Sequence, residues 1–310
     1  MFLNSTTMPK VAVCLAVFNG ICWLQEQLDS IFSQRDVLVT VFVSVDRSSD
    51  GSEEWIDLVA EKNSRIIVLP HGGYFGGAAN NFFRLLREVD FSGFDYVCLA
   101  DQDDIWLPEK LKRAHHILSG SDAHAYSGNV TAFWPDGRQA FINKSQKQKR
   151  WDYLFEAAGP GCTYVFKMDL VHSIQTLLTK KWDQVQGVDL HDWFFYAYAR
   201  ANGYQWFIDE YSGMLYRQHG GNQVGVNAGF SALFGRARKV LNGGGLSQAA
   251  LIARLVGLGG DPFVLRWASG SRLGLLWLVL HAGQCRRRLR DRVLFALSCL
   301  ALFLVPRRCR

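Results

Sequence analysis

Three carboxylates, Asp101, Asp103 and Asp104, stand within four positions, directly after the apolar run Tyr96–Ala100. A run of that composition reads as a buried strand, and like charges crowded at its end repel one another. Folding alone gives no reason to put them there. A divalent cation does, because it cancels the repulsion, and carboxylate oxygens suit Mg²⁺ or Mn²⁺. Magnesium is typically held by one or two carboxylates together with substrate phosphates, so the remaining ligands would come from a diphosphate. The competing reading is a solvated acidic turn ahead of the helix after Pro108. The apolar sequence on both sides, "YVCLA" and "IWLPEKL", weighs against it.

The elements needed to carry such a cluster are readable upstream. Val11–Val17, Val37–Val45, Arg65–Leu69 and Tyr96–Ala100 are short apolar runs that predict strands. Trp23–Ser33, Ser52–Glu61 and Ala79–Glu88 carry helical spacing between them. Alternating strands and helices predict an α/β fold with an open, mostly parallel sheet flanked by helices. Ligands of such sheets collect beyond the carboxyl ends of the strands. Asn19, Asp46 and the Asp101–Asp104 cluster fall at those ends. "GGYFGG" is a glycine-rich loop in which Gly76 and Gly77 permit close backbone approach, but it is not the dinucleotide fingerprint. Asn143–Arg150 reads as an exposed polar loop, and a helix is expected from Asp169.

The net charge of +6 hides a division. Residues 1–225 hold 20 Lys/Arg against 26 Asp/Glu, whereas residues 226–310 hold 14 against 2. The expected organisation is therefore a catalytic domain over 1–225 and a basic helical extension over 226–310. An anionic partner is expected for the extension, either membrane lipid or nucleic acid. Apolar blocks at Leu273–Leu280 and Val293–Val305 flank "CRRRLRDR". The second block is too short to span a bilayer, which favours an interfacial or re-entrant segment with arginines facing lipid phosphates. A nucleic-acid site would interleave aromatics with the arginines. The tail's aromatics lie instead within apolar blocks, so nucleic acid is not expected. Seven scattered cysteines without a C-x-x-C pair, and no leader-like apolar core at the N-terminus, predict a reducing, cytosolic setting.

"VAVCLAVFNGICWLQEQLDSIFSQ", "VSVDRSSDGS", "LADQDDIWLPEKL" and "HDWFFYAYA…YRQHGGNQVG" together resemble family 2 glycosyltransferases of the GT-A fold, in particular their bacterial rhamnosyltransferase-like branch. The resemblance covers about residues 10–227. It implies inverting, metal-dependent transfer of a sugar from a nucleotide diphosphate donor. Asp101 and Asp103 would be the metal-holding Asp-x-Asp pair, with Asp104 beside them and Asp101 also near the donor ribose. Asn19 and Asp46 would line the nucleotide pocket. Single Asp46 followed by Arg47, where the family usually shows paired acids and then Gly, departs from type. Asp192 in "LHDWFF" matches the general base, and the aromatic residues after it would desolvate it and raise its pKa. Helix capping by Asp192 is the plain alternative. In "YRQHGGN", His219 is a candidate third metal ligand or diphosphate donor, and Arg217 a candidate for neutralising the leaving group. Gly161 and Cys162 are placed on the acceptor side, Trp106 as a wall of the site or, alternatively, as core packing, and Asn81 as a further pocket residue.

The expected activity is transfer of L-rhamnose from dTDP-rhamnose onto a polyprenyl-diphosphate-linked saccharide, in O-antigen or exopolysaccharide synthesis. The enzyme would sit peripherally on the cytoplasmic face of the bacterial inner membrane. The alternatives are a UDP-hexose donor (galactose, glucose or N-acetylhexosamine) and a non-catalytic relative that only binds sugar nucleotides.

Overall fold

A computed structural model of the chain describes residues 8–220 and 244–304. Each β-branched run becomes a strand: β1 (Lys10–Val17), β2 (Leu38–Val45), β3 (Ile66–Val68) and β4 (Tyr96–Asp101). They lie parallel in the order β3-β2-β1-β4. Parallel neighbours need crossovers, and the helices α1 (Ile21–Phe32), α2 (Ser52–Lys62) and α3 (Ala78–Glu88) supply them. Seven of the eight β1 residues are buried. Ala12, Cys14 and Ala16 face one core layer and Val11, Val13, Leu15 and Val17 the other. Burial on both faces is why these strands are continuously apolar rather than alternating.

Beyond the acidic turn the sheet continues with β5 (Ile105–Trp106), β6 (Ala125–Phe133), β7 (Gln139–Ile142), β8 (Val165–Lys167) and β9 (Trp206–Arg217). Here β8 is antiparallel to β4 and β6, and β5 to β9, while β6 and β9 run parallel. Helices α4 (Lys110–Ser119), α5 (Met168–Lys180), α6 (Trp182–Val185) and α7 (His191–Ala201) complete this part. The registers Ala16 to Asp101 and Val17 to Val45 bring the ends of β1, β2 and β4 to one sheet edge. Asn19, Asp46 and Asp101 share that edge because the three strands end level.

The extension folds as α8 (Gly244–Leu255), α9 (Pro262–Trp267), α10 (Arg272–Leu280), α11 (Ala282–Cys285) and α12 (Leu289–Leu304). These helices share a core with the first part: Ile252, Trp267, Leu278 and Cys285 join the cluster that holds Phe82 and Phe194. Trp151 stacks on Phe263 at 4.5 Å, and Phe155 packs on Trp267 and Phe295 at 5.0 Å each. The arginine run faces outward only in part, with Arg290 exposed and the others turned towards the chain to different degrees. Arg287 is only 3% exposed, and Arg286 and Arg292 spend hydrogen bonds on backbone carbonyls. Apolar residues face outward as well: Leu289, Val293, Leu297, Leu300 and Leu304 on α12, spaced four, four, three and four apart, are all exposed. That spacing puts them on one side of the helix. Among the described residues no helix is long and apolar enough to cross a membrane.

Candidate active site

The acidic turn is pinned before it is charged. Gln102, between the carboxylates, donates from Nε2 to the Phe18 carbonyl (2.8 Å) and accepts from the Phe18 N–H (2.7 Å). A Cβ on Gly20 would lie 2.3 Å from Gln102 Oε1, so a larger residue there would push that amide out of its bonds to Phe18. The Asp101 carbonyl accepts from Gln27 of α1 at 2.8 Å. Asp104 Oδ1 accepts the Arg217 N–H at 3.2 Å, while its Oδ2 is buried without a hydrogen-bond partner. One ligand-type atom from each of Asp101, Asp104 and Cys162 lies within 4.8 Å of the others.

Burial first, and the charge of Asp103 second, push the Asp101 carboxyl up to about 7. The same two causes, with Asp101 added, push Asp104 well above the usual range. Burial also pushes the Cys162 thiol well up, so it stays protonated. A neutral thiol is a poor ligand for a hard cation; ionised carboxylates are good ones. Crowded carboxylates with raised pKa values and one orphaned oxygen fit a divalent cation with oxygen ligands. Beneath them lies a cation that no sequence signal revealed. Lys110 is buried, with Nζ 3.3 Å from the Trp106 ring centroid, and the Asp104 charge partly offsets the burial that lowers its pKa.

Asp103 and His219 meet at 2.6 Å between Oδ2 and Nε2, and the imidazole stacks on Trp23 at 4.2 Å. Of the three residues expected to hold metal, the structure pairs Asp103 with His219, while Asp101 groups instead with Asp104 and Cys162 and feels Asp103 through its charge. Arg217 acts as a brace: Nε donates to the Asp103 carbonyl at 2.8 Å, its guanidinium pairs with Glu26, and it lies over the Phe133 ring. Gly221 and Asn222 of "YRQHGGN" lie outside the described residues.

On the nucleotide side, Asn19 takes a left-handed conformation (φ 47°) and accepts from the Ser49 N–H at 2.8 Å. Buried Asp46 accepts from the N–H groups of Arg47 (2.9 Å), Phe75 (2.9 Å) and Gly76 (3.2 Å). Its carboxylate thus holds the glycine-rich loop against the end of β2. Two expectations are corrected. Asn81 is a buried clasp, donating to the carbonyls of Ser44 (2.9 Å) and Val17 (3.3 Å), because its helix runs beneath the sheet edge. Trp106 is 2% exposed and belongs to the core under the cluster, so it does not wall the site. Exposed Phe18 and Tyr74 flank the same edge, where no spacing in the sequence marks them.

Asp192 opens α7. Burial pushes its carboxyl up to about 6, against the opposing pull of the Trp193 N–H (2.7 Å) and the Lys144 charge. The N-cap position of α7 is Leu190 and no side chain caps the helix, so Asp192 is not its cap. Lys144 comes from the loop expected to be exposed; the structure half-buries it against Gly159. The buried Tyr164 hydroxyl accepts from the Gly159 N–H (3.3 Å) and faces the carbonyls of Gly159 (3.0 Å) and Asp192 (3.3 Å). Asp192 also adds to the charge acting on Asp101.

Gly161 packs on His191, and an added Cβ would lie 2.3 Å from His191 Nε2. The imidazole has little room to retreat, since it is buried and lies 4.2 Å from Phe82. Burial pushes it down to about 3, so it is neutral. Gly161→Ala should therefore displace the residue next to Asp192 and lower turnover on the order of a hundredfold, the usual effect of an ångström-scale misplacement. Steady-state kinetics beside a binding isotherm for nucleoside diphosphate checks this, with binding expected to hold.

Comparison with known proteins adds to this geometry. A family model described as glycosyl transferase family 2 matches residues 12–172. The chain is 40% identical over 280 residues to a Shigella flexneri protein named dTDP-rhamnosyl transferase RfbG, covering 90% of the chain and 96% of the relative. Its fold is similar to S. aureus TarS 1–349 in complex with UDP-GlcNAc, with a TM-score of 0.54 at 14% identity over 95% and 88% of the two chains. It is also similar to the mannosyltransferase PcManGT of Pyrobaculum calidifontis in complex with GDP-Man and Mn²⁺, with a TM-score of 0.50 at 18% identity over 96% and 81%. At those identities the structural likeness speaks to the fold alone.

Proposed function

The chain belongs to glycosyl transferase family 2, it is a glycosyltransferase of GT-A fold, and we propose that it transfers L-rhamnose from dTDP-rhamnose, with inversion, onto a lipid-linked saccharide in bacterial polysaccharide synthesis. The observation that supports the reaction is that the buried Asp192 carboxyl is near enough to Asp101, at the common end of β1, β2 and β4, to act on its charge. The donor assignment rests on the 40% identity to the Shigella protein.

Asp101 and Asp103, with His219 bonded to Asp103, would hold a divalent cation, Mg²⁺ or Mn²⁺. When bound, that ion supplies charge stabilisation to the departing nucleoside diphosphate. The protein's own residues do the rest. Asn19 and Asp46 shape the nucleotide end of the cleft, and Gln102 fixes the turn that presents the carboxylates. Asp192 takes the proton from the acceptor hydroxyl, whose oxygen attacks the anomeric carbon as the bond to the diphosphate oxygen breaks. Gly159, Gly161 and Tyr164 form the wall that orients Asp192.

Calorimetric competition in the presence of Mn²⁺ tests the donor. dTDP should bind at least tenfold more tightly than UDP; equal or weaker binding removes rhamnose and favours a UDP-hexose.

The extension would dock the enzyme on anionic lipid at the cytoplasmic face of the inner membrane. The apolar stripe of α12 supports this reading, as does the +12 charge of residues 226–310. A second copy of this chain is a poorer occupant of the stripe, since two such tails repel. Leu297→Glu combined with Leu304→Glu should lower affinity for phosphatidylglycerol vesicles more than tenfold, because each leucine buried in an apolar phase is worth roughly 1.5–3 kcal/mol. Vesicle co-sedimentation reads this directly, and unchanged sedimentation would detach α12 from the membrane.

A further inference from the structure

Two arginines of the "CRRRLRDR" run face the catalytic part of the chain, and their partners follow one another in sequence. Arg286 Nη1 donates to the Phe155 carbonyl at 2.5 Å. The Arg287 N–H donates to Glu156 at 2.6 Å, and Arg287 Nη2 to the carbonyls of Ala157 (2.6 Å) and Ala158 (3.3 Å). The segment 155–158 is irregular, so no helix or strand ladder satisfies those carbonyls. A guanidinium fork can satisfy several at once; an ammonium cannot do so in the same geometry.

We propose that Arg287 is a positioning residue for the catalytic base: it clamps the Glu156–Gly161 segment against α7 and so fixes Asp192. The inference rests on the reading of Asp192 as the base. Two routes lead from Arg287 to that residue. Along the chain, Ala158 is followed by Gly159, whose N–H and carbonyl both engage the Tyr164 hydroxyl, itself 3.3 Å from the Asp192 carbonyl. Two residues further on, Gly161 packs against His191.

The second route is electrostatic. Arg287 Nη1 lies 3.7 Å from Asp152, which is fully buried. Asp152 accepts from the Tyr196 hydroxyl at 3.0 Å and pairs with Arg200 at 3.4 Å, and both partners belong to α7. A third tie closes the frame, as Trp193 Nε1 donates to the Tyr153 carbonyl at 2.9 Å. Trp193 and His191, on either side of Asp192, are thus held by Tyr153 and Gly161, which flank the 155–158 stretch the arginines grip. A buried arginine costs desolvation, and its Nε and Nη1 have no hydrogen bond here. A surface-binding role gives no reason to accept that cost, whereas holding the wall of a site does.

The test uses full-length Arg287→Lys, which keeps the charge and loses the fork, with Arg287→Met as its partner. Calorimetry with dTDP and Mn²⁺ reads the donor half, and turnover of whichever sugar nucleotide the wild type consumes reads the base. Arg287→Lys should bind dTDP within threefold of wild type and lose at least tenfold in kcat with donor KM unchanged. Arg287→Met, if folded, should lose more. Turnover of the Lys variant within threefold of wild type overturns the proposal. So does a parallel loss of dTDP binding and kcat, which would make Arg287 a general stabiliser. Failure of the base assignment itself would show separately, as full turnover in Asp192→Asn.

Discussion

Asp192→Asn should lower sugar transfer by roughly a thousandfold, within the range that a positioned general base contributes, while leaving Mn²⁺-dependent binding of dTDP within twofold. The geometry behind the first half is the burial that pushes Asp192 up to about 6. A carboxylate so placed is a stronger base than an exposed one and is still ionised at neutral pH. The second half follows because no hydrogen bond ties the Asp192 side chain to Asn19, Asp46 or Asp101. The fold should survive. A carboxyl whose pKa is raised on folding weakens the folded state above the unfolded pKa, so the amide should melt no lower than wild type at pH 8. In wild type, with the metal saturating, transfer should fall tenfold per pH unit below about 6, the point at which the base becomes protonated. Lys144→Met removes the cation that opposes that shift, so this limb should move to higher pH. A limb that stays in place would separate Lys144 from the base, and full turnover in Asp192→Asn would separate Asp192 from the reaction.

Asp101→Asn and Asp103→Asn should each abolish Mn²⁺-dependent dTDP binding and reduce transfer by at least a hundredfold. An amide offers a neutral oxygen where the proposed ion needs charge. The two variants should differ in stability. Burial and the Asp103 charge make ionised Asp101 costly to the fold, so the amide relieves repulsion at that position. Asp103 is bonded to His219 at 2.6 Å, and the amide there weakens a charge-assisted contact. Thermal melts of the two metal-free variants should therefore move apart, with Asp101→Asn the higher. Titration calorimetry with dTDP, with and without Mn²⁺, checks the binding half; undiminished metal dependence in both would place the ion elsewhere.

The parts of this molecule legible in its sequence are those governed by repetition or by a local conflict. Strands β1, β2 and β4 announce themselves because burial on both faces demands continuous apolar sequence. The acidic turn stands out because its charges oppose the strand that carries them. Asp192 is conspicuous for the same reason, as a carboxylate opening an aromatic helix. The remainder depends on the direction in which a side chain points, and no periodicity encodes that. Arg287 sits in a charge run that looks uniformly solvated, yet the open carbonyls of Ala157 and Ala158 draw it inward. Lys144 belongs to a polar loop, and only the fold brings it against Gly159. The family resemblance puts Asn81 and Trp106 near a pocket. Each is instead used beneath the sheet edge, one to clasp two strand ends and the other to fill the core below the carboxylates.

Anomalous scattering at the manganese edge, from crystals grown with Mn²⁺ and dTDP, puts the central assignment to the most direct test. A single strong peak beside the carboxylates of Asp101 and Asp103 is the expected result. Bound dTDP with no peak there, and both carboxylates turned away from its phosphates, would contradict it.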